Sequence, residues 1–159
     1  MKTKIERVLE EATIKTFEDI CFMYLEPELR EKQKDLKPDA AAEVGFHGGY
    51  TGTLVIESRG DLFSAVAVNI LSDDRPSVQQ KKDALGEIAN IICGNIVPSL
   101  GRRKAGGYKI ESPRHLSRDE LLKEEKRKPL AAVMLNFNQG RADIKLFVDD
   151  YISDKEIKD

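Results

Sequence analysis

Glu87 and Asn90 lie three positions apart near the middle of a long amphipathic segment. Side chains three apart on a helix are neighbours on its surface, so this carboxylate and this amide can face one ligand or partner. Asn90 is neither a nucleophile nor an acid, but an amide donates and accepts hydrogen bonds and can hold a water molecule in place. The pair therefore predicts chemistry by positioning of a water molecule.

The helix that must carry this pair is predicted from Ser77, a suitable N-cap, to about Leu100, with Gly101 as a terminator. One side has the apolar stripe of a helix packed on a sheet, comprising Leu85, Ile88, Ala89, Ile92 and Ile96. The other side presents Asp83, Glu87, Asn90 and Gly94. Asn is a poor helix former and an interior Gly costs about 1 kcal/mol relative to Ala. We expect this polar face to serve a partner, with Gly86 and Gly94 giving it clearance.

The remaining periodicity predicts the elements that would support this helix. Apolar residues at helical spacing indicate a first long helix from Lys4 to about Leu25, followed by a charged connector. Two strand-like runs around His47-Gly48-Gly49 indicate a hairpin, with a short helix after it from Leu62 to Leu71. Three strands are predicted after the central helix, at about 108–112, 130–138 and 142–148.

Each half of the chain thus reads as a long helix followed by a hairpin, which suggests an internal duplication. We expect an α+β, α/β sandwich-like fold: a pseudo-two-fold domain with two long helices packed on one shared, mostly antiparallel sheet. The prediction is a single domain over residues 1–159, with a frayed tail over 150–159.

Composition excludes several classes of function. The chain has 159 residues, 40% of them hydrophobic and 34% charged, which suits one soluble domain. A net charge of −2 gives no support for a nucleic-acid or membrane-surface protein. No apolar run is long enough to span a bilayer, so we expect a cytoplasmic protein. Cys21 and Cys93 lie in apolar helical stretches, as is typical of reduced core thiols.

Two further features have plain interpretations. Residues 102–128 hold ten Lys or Arg against five Asp or Glu. A solvated loop is the favoured reading, and steering of an acidic protein surface toward the central helix is the alternative. His47 and His115 lack the spacing of a metal site, so no metal or cofactor of the chain's own is predicted.

The central helix also carries a resemblance. Asp83, Glu87 and Asn90, followed after 22 intervening residues by Pro113, resemble the signature of the CheC/CheX/FliY family of chemotaxis phosphatases. The run Ala-Asn-Ile-Ile-Cys-Gly-Asn at residues 89–95 is most similar to CheX members. The likeness extends over nearly the whole chain.

That resemblance implies a function. The family removes phosphate from the phospho-aspartate of CheY-like response regulators, and its CheX members are typically homodimers. By position, Glu87 would pair with the lysine of the regulator's active site, and Asn90 would orient the attacking water. Pro113 would be structural. The Mg²⁺ that neutralises the acyl phosphate would belong to the receiver domain.

The chain departs from the family on its first helix, and one alternative function stays open. CheC-like members can carry a second motif on the first helix, but here Glu6, Glu10 and Thr13 place a Thr where the amide should be, so one active site per chain is expected. The chain could also be a noncatalytic CheX-like adaptor that binds a response regulator or a flagellar switch component.

Overall fold

The computed structural model describes residues 2–158. Within that range the chain has four α-helices: α1 (Lys4–Cys21), α2 (Leu62–Leu71), α3 (Val78–Ile96) and α4 (Arg118–Glu124). It has six strands: β1 (Pro38–His47), β2 (Gly52–Gly60), β3 (Lys109–Ile110), β4 (Arg114–His115), β5 (Ala131–Phe137) and β6 (Gly140–Val148). None of the helices in residues 2–158 combines the length and the apolar character needed to span a membrane.

The strands form one sheet with the order β3, β1, β2, β6, β5, and β4 pairs with β1 as well. Every one of these pairings is antiparallel. At the centre of the sheet Ile56 of β2 lies opposite Ile144 of β6, so the two hairpins are joined edge to edge in one sheet. Helix α1 precedes the first hairpin and packs against β5, while α3 precedes the second hairpin and packs against β1. The predicted pseudo-two-fold α+β fold is confirmed.

The three longer helices cover one face of the sheet, and the main core lies between them and the strands. The strand residues that point toward these helices are apolar and fully buried, among them Leu54, Ile56 and Ile144. Cys21 and Cys93 are free buried thiols, as predicted, and burial raises the pKa of each to about 12. Because both long helices are anchored in this core, their outer faces are held in fixed positions.

The opposite face of the sheet carries a buried layer of charges. Lys145 Nζ donates to Glu57 Oε2 at 2.7 Å, and Arg141 forms a two-pronged pair with Asp143 at 2.7 and 2.8 Å. Arg141 also donates to two backbone carbonyl oxygens of the connector that leads into β1. Since an unpaired charge is costly to bury, these pairings fix the connector against the sheet.

Two predicted boundaries are wrong for local reasons. Helix α1 ends at Cys21, four residues early, because Phe22 adopts a left-handed conformation with φ of 55°. Leu25 is therefore not helical and forms a bridge with Phe137 at the edge of β5. The segment 102–128, interpreted as a loop apart from the strand predicted at 108–112, where β3 lies, also contains β4 and α4.

The tail is packed as far as Lys158, so the expectation of a frayed tail is wrong for the described residues. Ile152 and Ile157 are buried in the main core, each 3% exposed. The Lys158 backbone N–H donates to the Ser99 carbonyl oxygen at 2.9 Å, just beyond the end of α3. Apolar residues on an otherwise polar tail are enough to tie it down.

Candidate active site on helix α3

Helix α3 begins with a complete capping box. The Ser77 hydroxyl accepts from the Gln80 backbone N–H at 3.1 Å, and Gln80 Oε1 accepts from the Ser77 backbone N–H at 2.8 Å. Two backbone N–H groups at the start of the helix, those of Ser77 and Gln80, are thereby satisfied by its own sequence. Its apolar stripe is buried as predicted, against α1, α2 and the sheet. The helix is thus a rigid support for side chains on its outer face.

That outer face carries the predicted site residues. Asp83 and Glu87 are exposed, and Asn90 and Gly94 are half-buried. Gln79 Nε2 donates to Asp83 Oδ1 at 2.8 Å. Among the described residues, the side chains of Glu87 and Asn90 have no hydrogen-bond or ion-pair partner. A carboxylate and an amide are therefore free, side by side, to bind a group that approaches from outside.

One flank of this face is formed by residues 109–115, which we call the edge segment. It contains β3 and β4, and both pair with the outer edge of β1. The edge segment also runs along α3: Pro113 lies against Gly86, and Ile110 lies beside Gly94. Pro113 has its predicted structural contact, and Ile110, which was not singled out from the sequence, is 36% exposed at the border of the face.

Arg114 fastens the edge segment to the body of the protein. Its Nε and Nη2 donate to Glu43 Oε1 at 3.0 and 2.6 Å, and its Nη1 lies 2.5 Å from Glu120 Oε2. Hydrogen bonding from the Ser117 backbone N–H and then from Arg114 lowers the pKa of Glu120 to about 2. The pattern Ser117-x-x-Glu120 is a capping box, and it was the available sequence signal for α4 and this anchor.

The two glycines of α3 do not share one role, contrary to the expectation that both give clearance. Gly86 is buried, and a Cβ there would lie 2.9 Å from Pro113 Cβ. It is needed for internal packing. At Gly94 a Cβ would meet only Ile110 Cδ1, at an ordinary 3.7 Å. Of the two, only Gly94 leaves open space on the outer face.

Helix α1 repeats the burial pattern of α3, but the alignment of the two helices differs by one residue from the predicted one, which placed Thr13 at the position of Asn90. Thr13 is fully buried, and its hydroxyl donates to the Leu9 carbonyl oxygen at 2.7 Å, so it cannot belong to an exposed site. Aligning Leu9 with Leu85 matches the buried and exposed positions of both outer faces. The residues Arg7, Glu11, Ile14 and Glu18 then correspond to Asp83, Glu87, Asn90 and Gly94. On α1 the amide is replaced by an apolar side chain.

The positive charges of residues 102–128 are partly neutralised by neighbouring acidic side chains. Arg102 Nη1 pairs with Asp150 Oδ2 at 2.7 Å, and Arg114 is paired as described above. Arg102 also lies over the Tyr50 ring, 4.4 Å from its centroid. These cations have structural partners, so the steering role considered for the segment stays a prediction.

Comparison with known proteins supports the same assignment of family. The sequence profile described as "Chemotaxis phosphatase CheX" matches residues 40–138, which contain α3, the edge segment and four of the six strands in full. The comparison with curated proteins gave no match.

Several solved structures share the fold. The chemotaxis protein CheX from Vibrio vulnificus has a TM-score of 0.64 at 16% identity, covering 92% of this chain and 97% of that one. A chain from the CheX-CheY-BeF3-Mg²⁺ complex of Borrelia burgdorferi has a TM-score of 0.62 at 14% identity, covering 94% and 100%. Thermotoga maritima FliY has a TM-score of 0.56 at 12% identity, covering 93% and 88%.

The fold, the arrangement of α3 with Pro113 and the profile match agree with the resemblance seen in the sequence. The profile covers more than half of the chain. The chain belongs to the CheX family of chemotaxis phosphatases.

Proposed function

We propose that this chain hydrolyses the phospho-aspartate of a CheY-like response regulator, with Glu87 and Asn90 as its active-site residues. The observation that carries the proposal is the state of this pair: both side chains lie on the outer face of a buried helix and lack a partner among the described residues. Membership of the family supports the reaction, and the CheX-CheY complex from Borrelia burgdorferi supports a receiver domain as the partner.

In the proposed reaction Asn90 binds one water molecule in line with the scissile bond. The water oxygen attacks phosphorus and the bond from phosphorus to the aspartyl oxygen breaks. The aspartate leaves as a carboxylate, and both protons of the water stay with the phosphate, which is released as H2PO4−. An acyl phosphate is labile, so orienting the nucleophile is enough to lower the barrier, and no covalent intermediate on this chain is required.

Glu87 has a different task. Its carboxylate pairs with the lysine in the active site of the receiver, which places the receiver so that its phosphorylated aspartate faces Asn90. A hydrogen bond between charged groups is stronger than a neutral one and is more directional than a long-range attraction. In this proposal the Mg²⁺ that neutralises the acyl phosphate is held by the receiver.

The test follows the loss of label from a panel of radiolabelled, phosphorylated receiver domains of the same organism, with this protein at substoichiometric amounts. We expect one receiver to lose phosphate much faster with the wild-type protein. Asn90→Ala should lower that rate on the order of 100-fold, because a misplaced nucleophile loses about this much. Far-UV circular dichroism checks that the variant is folded.

Asn95→Ala is the matched control, because Asn95 is an exposed asparagine of the same helix but lies toward α1. It should retain wild-type turnover. A folded Asn90→Ala protein with wild-type turnover would remove the mechanism. Binding of a phosphorylated receiver without any hydrolysis would favour the noncatalytic adaptor.

Homodimers are the expected state of the chain from the resemblance. Light scattering at several protein concentrations would determine the mass, and a monomer at all of them would contradict this expectation.

A further inference from the structure

Gly94 has no explanation in the packing of the chain itself. It lies in the interior of α3, where glycine is less favourable than alanine. Its φ is not positive, so the backbone does not demand glycine. A Cβ would have only an ordinary contact, 3.7 Å from Ile110 Cδ1. Alanine would therefore fit and would give a better helix.

The position of Gly94 relates it to the proposed site. Four residues after Asn90, it lies about 6 Å further along the same side of the helix. The missing side chain leaves a notch, whose floor is the backbone of α3 at Gly94 and whose wall is Ile110. Ile110 is 36% exposed, so the wall is apolar and accessible.

We infer that the notch is the point of closest approach of the docked receiver domain: an apolar group of the receiver packs against Ile110, over the bare backbone at Gly94. This inference rests on the proposed function and adds the contact that sets the docking distance. The space at Gly94 is thus kept for a partner, whereas Gly86 is required by Pro113 within the chain.

The length of the Asn side chain explains why such a notch is needed. Asn90 is short and half-buried, so it can enter a pocket of the partner only if the partner comes close to the helix. A side chain at position 94 that projects as far as Asn90 would hold the partner away. The corresponding position on α1 is Glu18, which does project, and that helix has Ile14 in place of the amide.

The test compares Gly94→Ala and Gly94→Gln with the wild type. Three quantities are measured: the dissociation constant for a receiver loaded with BeF3 and Mg²⁺, kcat and KM on the phosphorylated receiver, and the thermal unfolding midpoint. Asn95→Gln, which lengthens the neighbouring exposed side chain by one methylene, is the matched control.

We expect Gly94→Ala to raise the unfolding midpoint, as a better helix former, and to weaken receiver binding slightly. Gly94→Gln should stay folded and weaken binding about tenfold or more, as the loss of a well-packed interface contact does. Asn95→Gln should leave both the midpoint and the binding unchanged.

Wild-type binding and turnover in folded Gly94→Gln protein would overturn the inference. A wild-type protein that binds the loaded receiver but hydrolyses none would contradict the proposed function, while the binding series would still decide the role of the notch. A wild-type protein that neither binds nor hydrolyses any receiver would contradict both.

Discussion

Helices α1 and α3 occupy equivalent places in the pseudo-two-fold fold, and their outer faces differ at the position of the proposed active-site residue Asn90 and one turn beyond it. Both helices bury the same side and expose the same side, as the alignment of Leu9 with Leu85 shows. Both also keep a carboxylate, Glu11 on α1 and Glu87 on α3. The shared scaffold therefore does not by itself make a site.

The differences lie one turn further along. Where α3 has Asn90 and Gly94, α1 has Ile14 and Glu18. The flank differs as well. Residues 109–115 line α3 and pair with β1 as two short strands. After α1 the chain instead meets the edge of β5 through a bridge at Leu25 and through the Gln33 side chain, which hydrogen-bonds to Asn136 and to the Phe137 carbonyl oxygen. The amide of Asn90, the notch at Gly94 and the adjoining edge segment thus occur together on α3.

The largest effect that sharpens this comparison is expected from the two equivalent glutamates. Glu87→Ala should lower kcat/KM about 10- to 100-fold, since a hydrogen bond between charged groups contributes about 1.5–3 kcal/mol. Glu11→Ala should have almost no effect. The measurement is the initial rate of phosphate release from the identified receiver for both variants. Equal losses at Glu87 and Glu11 would show that the two faces act alike.

A smaller effect is expected where α3 meets its wall. Gly86→Ala would place a Cβ 2.9 Å from Pro113 Cβ, and overpacking of this kind costs about 1–3 kcal/mol. The equivalent residue on α1 is Glu10, which is only half-buried, and Glu10→Ala should change stability by less than about 0.5 kcal/mol. Urea unfolding monitored by circular dichroism measures both changes.

The double variant Gly86→Ala with Pro113→Gly tests the cause of that loss. Removing the Cβ at 113 relieves the clash, so the interaction energy in the double-mutant cycle should be favourable. Additive losses would mean that the packing of Pro113 on Gly86 is not what requires the glycine.

Much of this comparison could be predicted from the sequence, because periodicity reports which side of a helix is buried. The apolar stripe and the polar face of α3 are both as predicted. On α1 the same reasoning chose the frame that includes Thr13, because the spacing of charges alone does not show that this Thr bonds to its own helix and is buried. The two possible alignments of α1 on α3 differ by one residue, and only the burial of each residue in the structure distinguishes them.

Contacts between distant residues could not be predicted. The role of Gly86 depends on Pro113, and the open space at Gly94 depends on where Ile110 ends. The charges in β2 and β6, such as Glu57 and Arg141, resemble a solvated strand face in sequence, yet both are buried. Arg141 donates to carbonyl oxygens of the connector, and Glu57 pairs with Arg59 and Lys145. In each case the missing information is which segment covers a given surface.

The smallest effect is expected from transferring the amide to α1. In the Asn90→Ala background, Ile14→Asn should raise the residual turnover by less than about twofold. Glu18 still projects beside position 14, and among the described residues no edge segment like 109–115 lines α1. Ile14 packs partly against the core, so an unfolding curve must show that the variant is folded. Adding Glu18→Gly tests the notch separately from the wall. Substantial turnover when Ile14→Asn and Glu18→Gly are combined would mean that an amide and a gap suffice, and that the edge segment contributes only stability to α3.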